Sequence, residues 1–171
     1  MRLIKLGLIS MIVFFLLITG ISLLLPSYQR VSRAINIGAP AEKLRQAVGD
    51  LHNWAQWNRF VSGSGLTHVT ISSPSADSGA FLSSDQLELT ILHSDADSVT
   101  MHWDQSKGRS FDGGFNILQL RPDSVTVQWW LDFRLRWYPW EKLSSLFYDQ
   151  QLGPVMEESL NGLKHYVENS P

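Results

Sequence analysis

The chain has 171 residues, and its 14 Lys and Arg against 16 Asp and Glu give a formal net charge of −2 at pH 7. This balance argues against a protein held to nucleic acid by bulk charge, because phosphate binding needs a basic surface. Cysteine is absent, which excludes disulfide scaffolds, thiolate zinc sites and cysteine nucleophiles.

The first predicted element is an apolar stretch from Leu6 to Leu25, which contains no charged residue. A helix of about 20 residues is roughly 30 Å long and matches the hydrocarbon thickness of a bilayer. We therefore predict an uncleaved membrane anchor over residues 1–26, which contacts the membrane through residues 6–25. A cleaved signal peptide is the alternative, although its apolar region is normally shorter and ends in an Ala-x-Ala-like site. A buried core helix is a third interpretation.

The sequence indicates less strongly on which side of the membrane the soluble domain lies. Counting Lys and Arg on the two flanks of the apolar stretch favours neither side decisively. The very short basic N-terminus, with Arg2 and Lys5, is typical of a signal anchor. It predicts a single-pass protein whose soluble domain, residues 27–171, lies on the extracytoplasmic (periplasmic) side.

The soluble part begins with a strand and short helices. Residues 28–37 alternate between apolar and polar side chains, which predicts a strand. Pro40 suits the first turn of a helix, and apolar residues follow it at helical spacing. A second short helical piece places Trp54 and Trp57 three residues apart, on one face.

Strand patterns separated by polar turns occupy residues 66–136. The longest runs over residues 125–136, with apolar side chains on one face and mainly polar ones on the other. Such alternation indicates an antiparallel sheet with one dry and one wet face. After Pro139 the period becomes helical, and Gly153-Pro154 predicts a break or kink. The element order predicts an α+β fold in which a long C-terminal helix covers the sheet.

Three segments carry a resemblance to a known family: residues 31–40 with the Ala-Pro turn, Asp50-Leu-His-Asn-Trp-Ala-Gln-Trp-Asn58, and residues 152–165. They resemble the START-like (SRPBCC, or polyketide-cyclase-like) superfamily, most closely its bacterial members with an N-terminal membrane anchor. The resemblance implies a helix-grip fold, in which a curved antiparallel sheet wraps a long C-terminal helix around an apolar cavity. Members bind lipids, sterols or aromatic metabolites, and a minority are enzymes. Family members often have a Trp-Ser-Pro-Trp-like sequence where this chain has Trp57-Asn-Arg-Phe60. This difference affects the expected shape of the cavity mouth.

The implied cavity lies between the sheet and the helix over residues 141–168. Trp54 and Trp57 would roof it, since an indole supplies a large apolar surface and one N–H donor; plugging the end of the core is the alternative. Other apolar candidates come from the dry face, the central hairpin and the long helix. The predicted ligand-binding residues are Trp54, Trp57, Phe81, Met101, Trp103, Phe115, Trp129, Leu131, Phe133, Phe147, Met156 and Leu160.

Two further features are ambiguous. Trp130 falls on the polar face of its strand, and the segment 137–140 contains Trp137, Tyr138 and Trp140. Aromatic residues there would suit a membrane interface or a cavity entrance, and capping of the sheet edge is the alternative. Arg33 shares a face with apolar residues and would either bind a ligand carboxylate or form a structural ion pair.

Motifs of catalysis are not apparent in the sequence. His-Glu-x-x-His, Gly-x-Ser-x-Gly and Gly-rich phosphate loops are all absent, so we predict no catalytic residue, metal or cofactor. The favoured function is a non-enzymatic, membrane-tethered module that binds a hydrophobic, lipid-like or aromatic small molecule and no nucleic acid. A cyclase- or hydrolase-like cavity enzyme and a filled-core protein-interaction domain are the alternatives.

Overall fold

The structure, a computed structural model, describes residues 2–63, 65–106, 108–121 and 123–169. Its helices are α1 (Arg2–Leu24), α2 (Ala41–Gly49), α3 (Trp54–Trp57), α4 (Arg59–Ser62), α5 (Pro139–Ser145) and α6 (Tyr148–Asn169), with a 3-10 turn at Leu51–Asn53. Its strands are β1 (Tyr28–Ile37), β2 (Thr70–Ile71), β3 (Phe81–Ser83), β4 (Leu87–Ser94), β5 (Ser98–Gln105), β6 (Phe111–Arg121) and β7 (Ser124–Arg134). The predicted α+β fold class is confirmed.

The strands form one curved, open antiparallel sheet in the order β1-β7-β6-β5-β4-β3-β2. β1 pairs with β7 along its whole length, from Tyr28 opposite Arg134 to Ile37 opposite Val125. The start of β6 lies beside the end of β7 and the end of β5. We call this side of the sheet, where β1 begins and β7 ends, the anchor end, because α1 directly precedes β1.

The dry face of the sheet packs against α6, as the alternation in β7 predicted. Val125, Val127 and Trp129 on β7 are fully buried. From α6, Met156 and Leu160 are buried in the same core. Burial of apolar surface is worth about 25 cal/mol per Å², so the contact between these side chains and α6 stabilises the fold.

The predicted break at Gly153-Pro154 is wrong. α6 runs without interruption through Pro154, and the α-helical hydrogen bonding is interrupted earlier, by turns at residues 146–147 between α5 and α6. Proline removes one backbone hydrogen bond, which leaves the Gln150 carbonyl without its helical donor. Gln150 and Pro154 both lie on the exposed side of the helix, where water can solvate that carbonyl.

α1 is the one helix among the described residues that is long and apolar enough to cross a membrane. Three residues, 25–27, separate it from β1. This link is tied to the rest of the chain at both ends. The Lys142 ammonium donates a hydrogen bond to the Leu25 carbonyl (2.8 Å), and the Leu135 amide donates one to the Ser27 carbonyl (2.9 Å).

Close approach of α3 to α6 depends on a glycine. A Cβ atom at Gly162 would lie 2.6 Å from the carbonyl oxygen of Trp57, closer than van der Waals contact allows. One turn earlier on α6, the Ser159 hydroxyl accepts a hydrogen bond from the Arg59 amide (2.9 Å). These two small residues let the backbone of α3 and α4 lie directly on α6.

We expect Gly162→Ala to destabilise the chain by about 1–3 kcal/mol, because the added methyl group forces α3 away from α6. Gly49→Ala is the matched control, since no atom lies within 4 Å of its Cβ position and alanine favours the helix. Urea denaturation of the detergent-solubilised chain, followed by tryptophan fluorescence, measures both variants. Equal stability of the two variants would contradict this packing.

Candidate functional site

Aromatic rings fill the space between the dry face of the sheet and α6. Neighbouring rings in this aromatic core have centroids 5.0–6.0 Å apart, and each member is at most 3% exposed. The members are Trp54, Trp57, Trp103, Phe115 and Trp129. The centre of the helix-grip fold is therefore occupied by protein side chains.

The indole N–H groups of this core differ in their partners. Trp54 donates to the carbonyl of Val48 (2.8 Å), at the end of α2. The Nε1 atoms of Trp57, Trp103 and Trp129 are buried without a hydrogen-bond partner among the described residues. A buried donor without an acceptor costs about 1–3 kcal/mol of folding free energy. The aromatic core therefore contains three N–H groups whose hydrogen-bonding capacity is unused by the described residues.

A groove of about 350 Å³ continues from the aromatic core to the surface at the anchor end. Its apolar floor forms a chain of ring contacts. Phe111 stacks on Trp103 (5.8 Å between centroids) and contacts Phe133 (4.8 Å), which contacts Tyr148 (4.9 Å). Its volume falls in the range of small-molecule sites. The lining residues are Phe60, Gln105, Gly108, Arg109, Ser110, Phe111, Phe133, Arg134, Leu135, Trp140, Glu141, Ser144, Tyr148, Gln151 and Leu152.

Phe60 separates the groove from the aromatic core. Its ring lies 5.9 Å from Trp103 and 5.4 Å from Trp129, and it also lines the groove. α4 carries it, and the Asn58 side chain begins this helix by accepting a hydrogen bond from the Phe60 amide (2.9 Å). This one ring therefore contacts both the aromatic core and the groove.

A charged pair lies at the rim of the groove. Arg109, before β6, forms a salt bridge with Glu141 of α5. Glu141 is almost fully buried and also accepts a hydrogen bond from the Arg136 amide (2.9 Å). The Arg109 Nη1 atom is buried and has no partner among the described residues. The Arg109 side chain as a whole is 37% exposed, so the rim presents a guanidinium to the groove.

Of the twelve predicted ligand-binding residues, Phe133 lines the groove. Two lie at exposed positions: Phe81 on β3 is 38% exposed, and Phe147 before α6 is 54% exposed. The other nine are buried in the core, and they are Trp54, Trp57, Met101, Trp103, Phe115, Trp129, Leu131, Met156 and Leu160.

The groove residues that the sequence did not predict lie in short helices or next to the ends of strands. Arg109 precedes β6, Glu141 lies in the short α5, and Phe60 lies in the four-residue α4. Their positions depend on which element ends meet at the anchor end, which periodicity does not encode. Tyr148 and Leu152 had a detectable signal, since a spacing of four residues places them on one face of α6.

Arg33 forms a structural ion pair, one of the two roles the sequence allowed. It reaches from β1 to α6, where it bonds Asp149 (2.8 Å) and Glu157 (2.7 Å). The guanidinium lies directly over Gly153, where a Cβ atom would clash with its Nη2 atom. Its hydrogen bond to Asp149 holds the pKa of that carboxyl below its usual value. The pair fixes the first turns of α6 beside the groove.

The wet face carries polar pairs that lie away from the groove floor. His102 and Asp112 are 2.7 Å apart and half-exposed on neighbouring strands. Arg30 binds Asp132 through both carboxylate oxygens (2.6 and 2.7 Å) and stacks on Trp130 (4.8 Å). In the part of the chain that the structure describes, no three His, Asp or Glu are grouped as metal ligands.

A family match accompanies this geometry. The profile of the family described as "Polyketide cyclase / dehydrase and lipid transport" matches residues 28–168. The chain belongs to this family. No curated protein matches the sequence. The resemblance drawn from residues 31–40, 50–58 and 152–165 is thereby confirmed.

Solved structures with the same fold share little sequence. A START superfamily protein from Mycobacterium smegmatis is 20% identical, with a TM-score of 0.56 over 81% of this chain and 97% of its own. Truncated norcoclaurine synthase from Thalictrum flavum is 9% identical, with a TM-score of 0.60 over 84% and 96%. DynU16, from the dynemicin biosynthetic locus, is 16% identical, with a TM-score of 0.58 over 84% of this chain and 48% of its own, so the match spans about half of DynU16. These likenesses concern the fold alone.

The unpaired indoles lead to a prediction about stability. Trp54→Phe takes away the donor that bonds the Val48 carbonyl, whereas Trp103→Phe removes a donor that has no protein partner. Both variants remove the same atoms from the core, so we expect Trp54→Phe to lose about 1–3 kcal/mol more unfolding free energy. Urea denaturation of the two variants makes the comparison. A larger loss for Trp103→Phe would mean that its N–H is already satisfied.

Proposed function

We propose that this protein binds a hydrophobic small molecule in the groove at the anchor end and holds it close to a membrane. The observation that carries this proposal is the groove itself, which combines a floor of aromatic rings with a few charged groups, Arg109, Glu141 and Arg134. Small-molecule sites typically have this composition, in which apolar walls give affinity and a few polar groups give orientation.

The groove favours an amphipathic ligand. Its apolar part would lie against Phe111, Phe133 and Tyr148, which present ring faces and edges. Its polar end, a carbonyl, carboxylate or phosphate oxygen, would accept a hydrogen bond from the partly exposed guanidinium of Arg109, which lines the groove. Charge-assisted hydrogen bonds of this kind are stronger than neutral ones. These features support a ligand of the lipid-like or aromatic class.

The predicted residues take different roles in this proposal. Phe133 contacts the ligand directly, while Trp103 and Trp129 support the floor from behind Phe60 and Phe111. The remaining core residues set the shape of the floor through packing.

Binding without catalysis is favoured by the placement of the charged groups. Arg109 and Glu141 pair with each other at the rim and neutralise one another. The His102–Asp112 pair, which has the residue types of a general acid–base system, lies on the wet face of the sheet. A proton-transfer role would require such groups to converge on the ligand.

We also propose that residues 1–26 form an uncleaved anchor and that residues 27–171 form a domain on the extracytoplasmic side. The exposed apolar side chains along α1 support the anchor, because water would be an unfavourable environment for them. The short basic N-terminus supports the orientation.

A charge placed in the groove wall tests the binding site. We expect Leu152→Arg to weaken binding of a fluorescent fatty acid to the detergent-solubilised full chain by about tenfold or more, since it removes apolar contact and introduces a charge. Leu118→Arg, at an exposed position on β6, is the matched control and should bind the probe as the unchanged chain does. Equal affinity in the two variants would place the ligand elsewhere.

One labelling experiment tests the anchor and its orientation, because the chain has no cysteine. We expect Asp95→Cys, in the exposed turn between β4 and β5, to react with a membrane-impermeant maleimide in intact cells. The labelled protein should stay in the membrane after alkaline carbonate extraction and keep the mass of the full chain. Release of a protein shortened at its N-terminus would indicate a cleaved signal peptide. Labelling only after lysis would reverse the orientation.

A further inference from the structure

The amphipathic pattern of α5 is inverted. A surface helix normally buries its apolar side chains and exposes its polar ones. In α5 the polar residues Glu141, Lys142 and Ser145 are buried, whereas Trp140 is 60% exposed. The residues next to the helix on both sides, Trp137, Leu146 and Phe147, are exposed apolar side chains as well.

We name this surface the lip and define it as Trp137, Trp140, Leu146 and Phe147. Each member is between 54% and 62% exposed. Tyr138 stacks on Trp140 (4.9 Å between ring centroids) and contacts Trp137 in a tilted arrangement (4.8 Å), so it joins the two indoles. Monomeric proteins rarely expose contiguous apolar patches without a partner, and tryptophan is enriched at membrane–water interfaces.

The lip is held where α1 ends. The three-residue link 25–27 spans at most about 11 Å when fully extended. The hydrogen bond from Lys142 to the Leu25 carbonyl (2.8 Å) joins α5 directly to the end of α1. In the last turn of α1, Ser22 is fully buried, while Leu23 and Leu24 stay exposed and extend the apolar surface.

The lip also borders the groove. Trp140 belongs to the lip and lines the groove, and Ser144, one helical turn further on, lines the groove as well. Whatever covers the lip therefore lies at the mouth of the groove.

We propose that the lip inserts into the interfacial layer of the bilayer that α1 crosses, so that the groove opens onto lipid. The ligand is then a membrane amphipath that passes between bilayer and groove without crossing water. The interfacial layer is roughly 5–8 Å thick on each side, which suits the depth of an indole ring. This inference rests on the proposed anchor.

The depth of the lip is measurable with a single spin label on the full chain in phosphatidylcholine–phosphatidylglycerol nanodiscs. Ser144→Cys places the label on the exposed side of α5 and keeps all four lip residues. We expect this nitroxide to collide with oxygen several-fold more often, relative to a water-soluble nickel chelate, than a nitroxide at Asp95→Cys.

Substitutions in the lip of the labelled Ser144→Cys chain distinguish insertion of the lip into the bilayer from a position of the label merely close to the bilayer. Trp140→Ser with Phe147→Ser should lower the oxygen preference of the label to the value of the Asp95→Cys position. Leu92→Ser with Leu118→Ser removes two exposed apolar side chains away from the lip and should leave the label unchanged.

The outcomes distinguish the lip from the anchor. A label at position 144 that is as accessible to nickel as the one at position 95, in a chain that co-elutes with the nanodisc, overturns lip insertion and leaves the anchor standing. A chain that elutes without lipid overturns both. An unchanged oxygen preference after the double lip substitution also overturns insertion by these side chains.

Discussion

Two adjacent charged side chains in a seven-residue helix connect the parts of this protein that matter for its function. Glu141 and Lys142 of α5 are both buried, and a buried charge is costly unless it is paired and hydrogen-bonded. Glu141 is paired with Arg109 across the groove, and Lys142 donates to the Leu25 carbonyl after α1. A cation is also favourable near the negative end of a helix dipole. The two charges thus set the rim of the groove and the position of the domain relative to α1.

Most of the fold was predictable because its elements follow strict periodicities. β1 and β7 alternate with few exceptions, such as Arg33 and Trp130, and pairing along all of β1 keeps their apolar residues on one face. Pro154 misled the prediction, because a proline at an exposed position costs a helix only one hydrogen bond that water can replace. The interruption lies instead at residues 146–147, directly after α5, whose Lys142 bonds the link after α1 in a long-range contact that local sequence does not encode.

The site was less predictable than the fold, for a related reason. Apolar residues on the dry face, such as Trp103 and Trp129, predict that a side chain is buried but not whether it faces a ligand or another side chain. Here the rings contact each other and fill the interior. The groove instead consists of element ends, and its rim residue Arg109 acquires a partner only when α5 folds back onto the start of β6. Such an arrangement becomes visible only in three dimensions.

A filled interior changes what the protein must do to hold a lipid-like molecule. The groove of about 350 Å³ is open, so a long apolar ligand would leave part of its surface outside. At about 25 cal/mol per Å², every 100 Å² left in water forfeits about 2.5 kcal/mol of binding free energy. If the mouth faces lipid, that part of the ligand stays in contact with acyl chains and the penalty disappears. A shallow groove beside an apolar lip is therefore a coherent design for a tethered protein, whereas in a freely diffusing carrier the same groove would bind weakly.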